Sequence, residues 1–227
     1  MTGMFKPCLD ILPPAQQCLW PQLRNAPDLG LTLYGGTAIA LRLGHRESVD
    51  FDFFSEHPLD RDVIKTAFPF VAEATTLQDQ DDTWTVLVPS GNSGTGHVKL
   101  SFFGTIAFGR VGEPDLTDDG VLQVASFDDL MATKLKVILQ RAEAKDYRDV
   151  AAMVHAGVSL SRGLASARVL FGPNFQPSES LKALVYFGDG DLKTLTAAEK
   201  TILVDAVKAV RELPEVALLS SSLSGLA

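Results

Sequence analysis

The stretch LYGGTAIALRLGHRESVDFDFF, residues 33–54, decides the fold of this chain. A short apolar run ends in two glycines and a threonine, and a segment rich in alanine and leucine follows. Two aspartates then alternate with phenylalanines. The spacing predicts a strand over residues 31–34, a helix over 37–43 and a second strand over 49–54.

Asp50 and Asp52 are expected to project from one face of their strand, because side chains alternate between the two faces. Phe51 and Phe53 then project from the other face and anchor the strand in the core. The carboxylates are about 6–7 Å apart at the backbone, close enough to converge on divalent cations. Their mutual repulsion makes the pair unfavourable without a cation or a basic partner. We therefore expect Asp50 and Asp52 to bind Mg²⁺ or Mn²⁺.

Gly35 and Gly36 stand where the first strand meets the helix. Because they lack a Cβ, a phosphate can approach the backbone N–H groups there, and the helix dipole favours an anion. Thr37 adds a hydroxyl at the same place. A phosphate cradle and a metal pair together are what phosphoryl and nucleotidyl transfer require. A lone GGT is most often a turn and a lone DxD a solvated face, so the combination indicates function.

The remainder of the first half predicts further strands and helices. Helices are expected over residues 13–26 and 60–68, the second one opened by an acidic cap. The runs TWTVLVP and HVKLSFF predict two strands of a hairpin joined by SGNSGTG. This half is therefore a mixture of strands and helices.

The second half predicts helices. Ser126, with Asp128 and Asp129 after it, is a helix start signal, and helical periodicity follows with breaks at FGPNFQPS and FGDGD. The tail SSSLSGLA is expected to be loosely held. The change in texture predicts two domains, over residues 1–118 and 119–227.

Composition limits the possible partners. The chain has 227 residues, a net charge of −8 and 46% hydrophobic residues, enough for one large core or two modest ones. The charge repels nucleic acid and anionic membranes, so a nucleic-acid substrate needs a local basic patch. No run is long enough for a membrane helix or a signal peptide. The charge and the lack of a membrane helix predict no membrane partner. Cys8 and Cys18 fit no zinc pattern or disulfide framework, which predicts a cytoplasmic protein.

Two separated motifs resemble one known family. GGTAIALRLGHRESVDFDFF is similar to the signature of AbiEii/AbiGii toxin nucleotidyltransferases, in the DNA polymerase beta-like superfamily. SFDDLMATKLKVILQRAEAKDYRDVAAMV resembles their second signature, a helix with a lysine followed by KDxxD. The resemblance implies an α+β fold, with a mixed-sheet nucleotidyltransferase domain and a helical C-terminal domain that completes the site. It also implies Mg²⁺-dependent use of a nucleoside triphosphate (NTP), a tRNA or other RNA 3′ end as acceptor, and a toxin with a cognate antitoxin.

The resemblance also assigns residues. It places Gly35, Gly36 and Thr37 in the phosphate-binding turn and Asp50 and Asp52 as metal ligands.

In the second signature, Lys134 matches the lysine expected to contact the triphosphate. Lys145, Asp146 and Asp149 match KDxxD, and Asp149 is expected to matter most for activity. A lysine at the edge of an apolar face and a surface Lys145–Asp149 ion pair are the structural alternatives. Arg46, just before the acidic strand, either pairs with an aspartate of that strand or contacts phosphate.

One departure bears on catalysis. Many members of the superfamily add a third carboxylate from a neighbouring strand, which deprotonates the attacking hydroxyl. HVKLSFF offers His97, Lys99 and Ser101 on one face, with Ser101 about where that acid is expected. Asp149 or a substrate group then serves as base, the transfer is slow, or catalysis is lost.

Three functions follow. The leading one is a metal-dependent nucleotidyltransferase acting on RNA. A small-molecule acceptor is the enzymatic alternative, because an RNA-modifying enzyme usually carries a broader basic surface. The third is a catalytically weak or silent nucleotide-binding and interaction module that acts through its helical half. Five basic residues could guide a triphosphate or RNA, although a solvated helix face explains them too: Lys134, Lys136, Arg141, Lys145 and Arg148.

Overall fold

The computed structural model describes residues 3–89 and 96–225, which divide into two compact units. The first, the sheet unit, comprises the described residues of Met1–Gly109, Glu113–Ala125 and Ser220–Ala227. The second, the helical unit, comprises Arg110–Gly112 and Ser126–Leu219.

The described strands belong to the sheet unit. They are β1 (Met4–Phe5), β2 (Thr32–Tyr34), β3 (Asp50–Phe54), β4 (Thr75–Gln80), β5 (Thr83–Pro89), β6 (His97–Phe103), β7 (Asp115–Thr117) and β8 (Gln123–Val124). They form one sheet in the order β1-β7-β8-β2-β3-β6-β5-β4. The pairs β1/β7, β2/β8 and β3/β6 are parallel and the other pairs antiparallel. The predicted α+β class with a mixed sheet is confirmed.

The segment around β3 forms as predicted. Helix α2 (Gly35–Leu43) follows β2 directly, and β3 lies between β2 and β6. Phe51 and Phe53 are fully buried, while Asp50 and Asp52 are partly exposed. Phe53 stacks on Phe102 of β6, with ring centroids 5.5 Å apart. This aromatic packing on one face fixes the direction of the two carboxylates on the other.

The single helix predicted over residues 13–26 is wrong. Helix α1 spans Pro14–Leu19, and a separate 3-10 turn spans Trp20–Leu23. Pro21 has no backbone N–H to donate back along the chain, so it interrupts the regular helix. The helix predicted over residues 60–68 forms as α3 (Arg61–Ala67), with the Asp60 carboxylate accepting from two backbone N–H groups.

The predicted hairpin strands are confirmed. β5 and β6 pair antiparallel from Thr83 opposite Phe103 to Pro89 opposite His97. Most of the predicted SGNSGTG turn, residues 90–95, lies outside the described residues. Strands β1, β7 and β8 were not predicted, because two or three residues are too short for alternation to be visible. β4 was also missed, and its residues are exposed on both faces.

The helical unit contains α4 (Phe127–Val137), α5 (Ala144–His155), α6 (Leu160–Phe171), α7 (Pro177–Val185) and α8 (Ala197–Ala209). The start signal at Ser126 is confirmed, since its side chain accepts from the Asp129 backbone N–H. Asp129 also accepts from the backbone N–H groups of Val111 and Gly112, at 2.8 and 3.2 Å. Over residues 3–89 and 96–225, no helix combines the length and apolar character needed to cross a membrane.

The compact units differ from the predicted division at residues 118 and 119. Residues 119–125 belong to the sheet unit, where Thr32 and Leu33 of β2 pair with Gln123 and Val124 of β8. Residues 220–225, here called the C-terminal strap, belong to it as well. A strand of two residues such as β8 is too short for alternation to be visible, so the sequence does not show that residues 119–125 pair with β2. The division into a catalytic and a helical domain stays a prediction.

The C-terminal strap is not loosely held. Its Leu223 is fully buried, and the Leu223 backbone N–H donates to Glu56 Oε2 at 3.2 Å. Ser222 donates a second, short hydrogen bond to Glu56. Ser224 Oγ donates to Gln123 Oε1 at 3.1 Å. Burial alone would raise the pKa of Glu56, but hydrogen bonds from Ser222 and from the backbone lower it overall.

We expect Leu223→Ala to destabilise the protein by about 2–4 kcal/mol, because it removes a fully buried side chain and leaves a cavity. The matched control is Leu219→Ala, since that side chain is 51% exposed and should cost little. Urea unfolding of both variants measures the difference. Equal stability of the two would mean that the strap is not part of the sheet-unit core.

Candidate active site

Asp52 lies directly against the turn at the start of α2. A Cβ on Gly35 would come within 2.5 Å of Asp52 Oδ2, and Gly35 has a φ of +75°. Both the close approach and the left-handed backbone require glycine. The predicted glycine turn and one of the predicted metal ligands are thus neighbours in the structure.

The start of α2 is a favourable place for an anion. The N-cap residue Tyr34 makes no side-chain capping hydrogen bond, and its ring stacks on Phe54 with centroids 4.7 Å apart. The first backbone N–H groups of a helix have no partner within the helix, and the dipole places partial positive charge there. Gly35 and Gly36 in this first turn present backbone without a side chain.

The buried side chain of Thr37 stabilises the glycine turn. Its side chain is buried, its Oγ1 lies 2.7 Å from Ser48 Oγ, and it donates a short hydrogen bond to the Asp50 carbonyl. The hydroxyl therefore fastens the first turn of α2 to the start of β3. This contact holds the glycine turn and Asp50 in a fixed relation.

Asp50 has a basic partner. Lys99 Nζ lies 2.9 Å from Asp50 Oδ2, and the two residues are direct register partners on β3 and β6. The sequence prediction did not assign a role to Lys99. Its alternation with Ser101 on β6 was the available signal, but the parallel pairing that brings it to Asp50 was not predictable from spacing.

Ser101 is the register partner of Asp52 and is 4% exposed. On its other side, β5 brings Thr85 opposite Ser101. The strands flanking Asp52 in this register therefore supply a phenol from Tyr34 and a hydroxyl from Ser101. A third carboxylate is not among these register partners.

The donor set suits a divalent cation shared with a phosphate. Asp50 and Asp52 are hard oxygen donors on one strand face, and Gly35 leaves room for Asp52 Oδ2 that a Cβ would fill. No group of three or more His, Cys, Asp or Glu side chains that could hold a metal occurs in the described parts of the chain. Mg²⁺ is commonly held by one or two carboxylates plus substrate phosphates, so two protein ligands fit that arrangement.

Arg46 lies in the connection between α2 and β3. Its Nη1 donates to the Glu47 carbonyl at 2.9 Å. Arg46 therefore lies shortly before β3 in the chain, and its assignment to nucleotide binding stays a prediction.

In the helical unit, three residues of the second signature form a buried charge cluster. Lys134 Nζ lies 2.7 Å from Asp146 Oδ1 and 2.7 Å from Asp149 Oδ2. Both carboxylates are fully buried, and the Lys134 side chain is 7% exposed. Arg141 Nε also donates to Asp146, at 2.9 Å. Lys134 therefore joins α4 to α5 at the core of this unit.

The cluster controls the ionisation of Asp146. Burial alone would raise the pKa of Asp146, but Lys134 and Arg141 outweigh burial and lower it. Asp149 pairs with Lys134, while Lys145 pairs with Glu143 at 2.9 Å on the surface. A surface ion pair between Lys145 and Asp149 is therefore not formed.

The basic side chains between Lys134 and Arg148 are paired within the helical unit. Besides the pairs of Lys134, Arg141 and Lys145, Arg148 Nε lies 3.4 Å from Glu199 Oε1, and Lys136 Nζ donates to the Asn174 carbonyl. Each of the five predicted cations thus has a partner inside the helical unit. This weakens the hypothesis that the stretch guides an RNA backbone.

A sequence model of the nucleotidyl transferase AbiEii toxin family, described as a type IV TA system, matches residues 23–208. The chain belongs to this AbiEii family. The resemblance inferred from the two signatures is confirmed, and the protein is a nucleotidyltransferase of a type IV toxin–antitoxin family.

Two further proteins are similar to this AbiEii-family chain. An uncharacterized protein of Aquifex aeolicus (strain VF5) is 30% identical over 159 residues, which cover 69% of this chain and 73% of that protein. The solved structure of MenT4, a nucleotidyltransferase toxin from Mycobacterium tuberculosis H37Rv, matches with a TM-score of 0.58. At 14% identity it covers 87% of this chain and 82% of its own, and it supports the fold.

The two family signatures lie in different compact units. The glycine turn and the paired aspartates belong to the sheet unit, whereas Lys134 and the KDxxD segment belong to the helical unit. All site residues predicted for the AbiEii-family chain lie within residues 3–89 and 96–225, which the structure describes. Their catalytic roles stay predictions.

Gly35→Ala is expected to lower nucleotidyl transfer by about 10- to 100-fold, because the new Cβ displaces the Asp52 carboxylate. Gly120→Ala is the matched control, since Gly120 has a φ of +71° but nothing within 4 Å of a Cβ. Both variants should lose about 1–3 kcal/mol of stability from backbone strain. Kinetics and thermal unfolding separate the effects, and equal activity of the two variants would contradict the role of the close approach.

Lys134→Met is expected to destabilise the protein by about 3–5 kcal/mol at pH 7, because it removes the cation that two fully buried carboxylates share, and Arg141 still pairs with Asp146 alone. Lys145→Met is the control, since its exposed pair with Glu143 should contribute at most about 1 kcal/mol. Urea unfolding measures both. A small effect of Lys134→Met would mean that the cluster is not buried in solution.

The Lys134→Met penalty should shrink on acidification. In the wild type the folded-state pKa of Asp146 is lowered, so its contribution to stability is present above the ordinary aspartate pKa and is lost as pH falls through the lowered value. In the variant, burial without Lys134 favours the neutral carboxylic acid. Unfolding at pH 7 and pH 5 tests this, and a constant penalty would contradict it.

Proposed function

We propose that the chain transfers a nucleoside monophosphate from an NTP to an acceptor hydroxyl, with Mg²⁺ or Mn²⁺ held by Asp50 and Asp52. The acceptor is a tRNA or other RNA 3′ end, and the protein acts as the toxin of a pair with a cognate antitoxin. The observation that carries this proposal is the contact of the Asp52 carboxylate with the Gly35 turn at the start of α2. Family membership supports the toxin role.

The residues of the sheet unit have separate tasks in this proposal. The backbone of Gly35 and Gly36 receives triphosphate oxygens at the positive end of α2. Thr37 keeps that turn against β3 through its contact with Asp50. A divalent cation would supply neutralisation of the charge on the attacking and leaving oxygens. Asp50 and Asp52 orient this charge relative to the turn.

The helical unit contributes the proposed nucleotide contacts of Lys134, Lys145, Asp146 and Asp149. Because Lys134 is paired with both buried carboxylates, its contact with a triphosphate requires that it leave one of them. Asp149 is the carboxylate proposed to complete the site, and Asp146 keeps a second cation in Arg141. Arg46 is proposed as a further phosphate contact.

A specific observation favours a second function. Ser101 stands beside Asp52 where a third carboxylate is expected, and it cannot accept a proton as a carboxylate does. A catalytically weak or silent interaction module would retain the fold and nucleotide binding without turnover. The paired cations of the helical unit and the net charge of −8 also favour a small-molecule acceptor over RNA.

Transfer of α-³²P-labelled NTPs to total bacterial RNA or to a small-molecule extract tests the proposal. We expect label on RNA with the wild type and Mg²⁺, and a loss of about 100-fold or more with Asp52→Asn, since metal–phosphate stabilisation is worth several kcal/mol. Asp28→Asn, at an exposed aspartate of the same unit, is the control. Chelation of divalent cations should abolish transfer.

The outcomes distinguish the functions. Label on small molecules alone identifies a small-molecule nucleotidyltransferase, and nucleotide binding without any transfer identifies the silent module. Expression of the same three proteins in a bacterial host tests the toxin role. Growth arrest by wild type and Asp28→Asn, but not by Asp52→Asn, is expected, and identical growth would contradict it. The cytoplasmic location stays a prediction.

A further inference from the structure

Lys99 is a cation placed on the acidic face of β3. Its Nζ lies 2.9 Å from Asp50 Oδ2, and the parallel register sets Lys99 directly beside Asp50. The side chains are 37% and 31% exposed. The contact is therefore ordered by the sheet but still reached by solvent.

The two aspartates of β3 are compensated in different ways. Asp52 lies against Gly35 in the first turn of α2, where the helix dipole favours negative charge. Asp50 has the Lys99 ammonium. Two carboxylates on one strand face repel each other, and Lys99 offsets part of that repulsion. Any divalent cation that uses Asp50 must therefore compete with a charge already in contact with it.

The chemistry of lysine suits exchange. Its ammonium is a point charge on a flexible stem, without the fixed two-pronged geometry of arginine. A partly exposed lysine–carboxylate pair is worth at most about 1 kcal/mol, so the contact can open without unfolding the sheet. The buried pairs of Lys134 with Asp146 and Asp149 cost more to open, because a buried charge is then left without its partner.

We propose that Lys99 is a positioning residue that holds Asp50 as an internal counter-ion and gives it up when a divalent cation binds. Lys99 thereby weakens cation binding at Asp50 and keeps that carboxylate ordered on the strand face. This inference rests on the proposed function for its purpose, because it concerns the same two carboxylates. It assigns Lys99 no contact with the reacting atoms.

The test is Mn²⁺ titration of the full chain followed by electron paramagnetic resonance, without nucleotide or acceptor. Lys99→Gln is expected to bind Mn²⁺ about two- to fivefold more tightly than wild type, the effect of removing a partly exposed competing pair. Lys99→Arg keeps the competing charge and should bind Mn²⁺ no more tightly than wild type. Lys65→Gln, which removes one charge from α3 of the same unit, controls for the general electrostatic effect.

Coupling to Asp50 makes the test specific. In an Asp50→Asn background, Lys99→Gln should no longer change Mn²⁺ affinity. The inference is overturned if Lys99→Gln binds Mn²⁺ no more tightly than wild type or not at all. It is also overturned if Lys65→Gln gains Mn²⁺ affinity equally, or if the gain of Lys99→Gln persists in the Asp50→Asn background. Circular dichroism confirms that each variant is folded. Because the readout requires no turnover, tighter Mn²⁺ binding without nucleotidyl transfer would refute the proposed function and leave the role of Lys99 intact.

Discussion

The arrangement of the sheet unit depends on the burial of Phe51 and Phe53. Because both rings are fully buried, the intervening Asp52 and the preceding Asp50 must project from the opposite face of β3. A shift of one residue in register would bury two carboxylates and expose two phenylalanines, which is prohibitively costly. Burial of the two phenylalanines therefore determines the strand face from which both aspartates project, without any contact made by the aspartates themselves.

Charge compensation within each unit is the second constraint. In the sheet unit, Lys99 faces Asp50 in a partly exposed pair. In the helical unit, Lys134 faces two fully buried carboxylates. The same type of contact thus has different consequences, because a solvated pair opens at little cost while a buried pair fixes the helices that carry it.

Local patterns predicted the elements that carry the family signatures. The glycine turn, α2, β3 and the Ser126 cap follow from alternation, helix propensity and capping chemistry within a few residues of one another. The sequence could not show that Asp50 pairs with Lys99 or Asp52 with Ser101, since both depend on a parallel pairing of distant strands. The burial of Lys134 between Asp146 and Asp149 could not be predicted either, because the sequence pattern of a lysine beside an apolar stripe fits an exposed side chain equally well. The buried strap was missed because serine-rich tails are usually mobile.

The strap has a consequence for how the chain is made. The sheet unit includes residues 220–225, so its last core side chain, Leu223, follows the whole Ser126–Leu219 segment in the order of synthesis. At ribosomal speeds, that segment takes about 5–20 s to emerge. During this time the core of the nascent sheet unit lacks the Leu223 side chain. Glu56 and Gln123 also lack the hydrogen bonds that the strap donates to them. Completion of the fold that presents Asp50 and Asp52 is therefore delayed until the strap itself has been synthesised, after the whole helical segment.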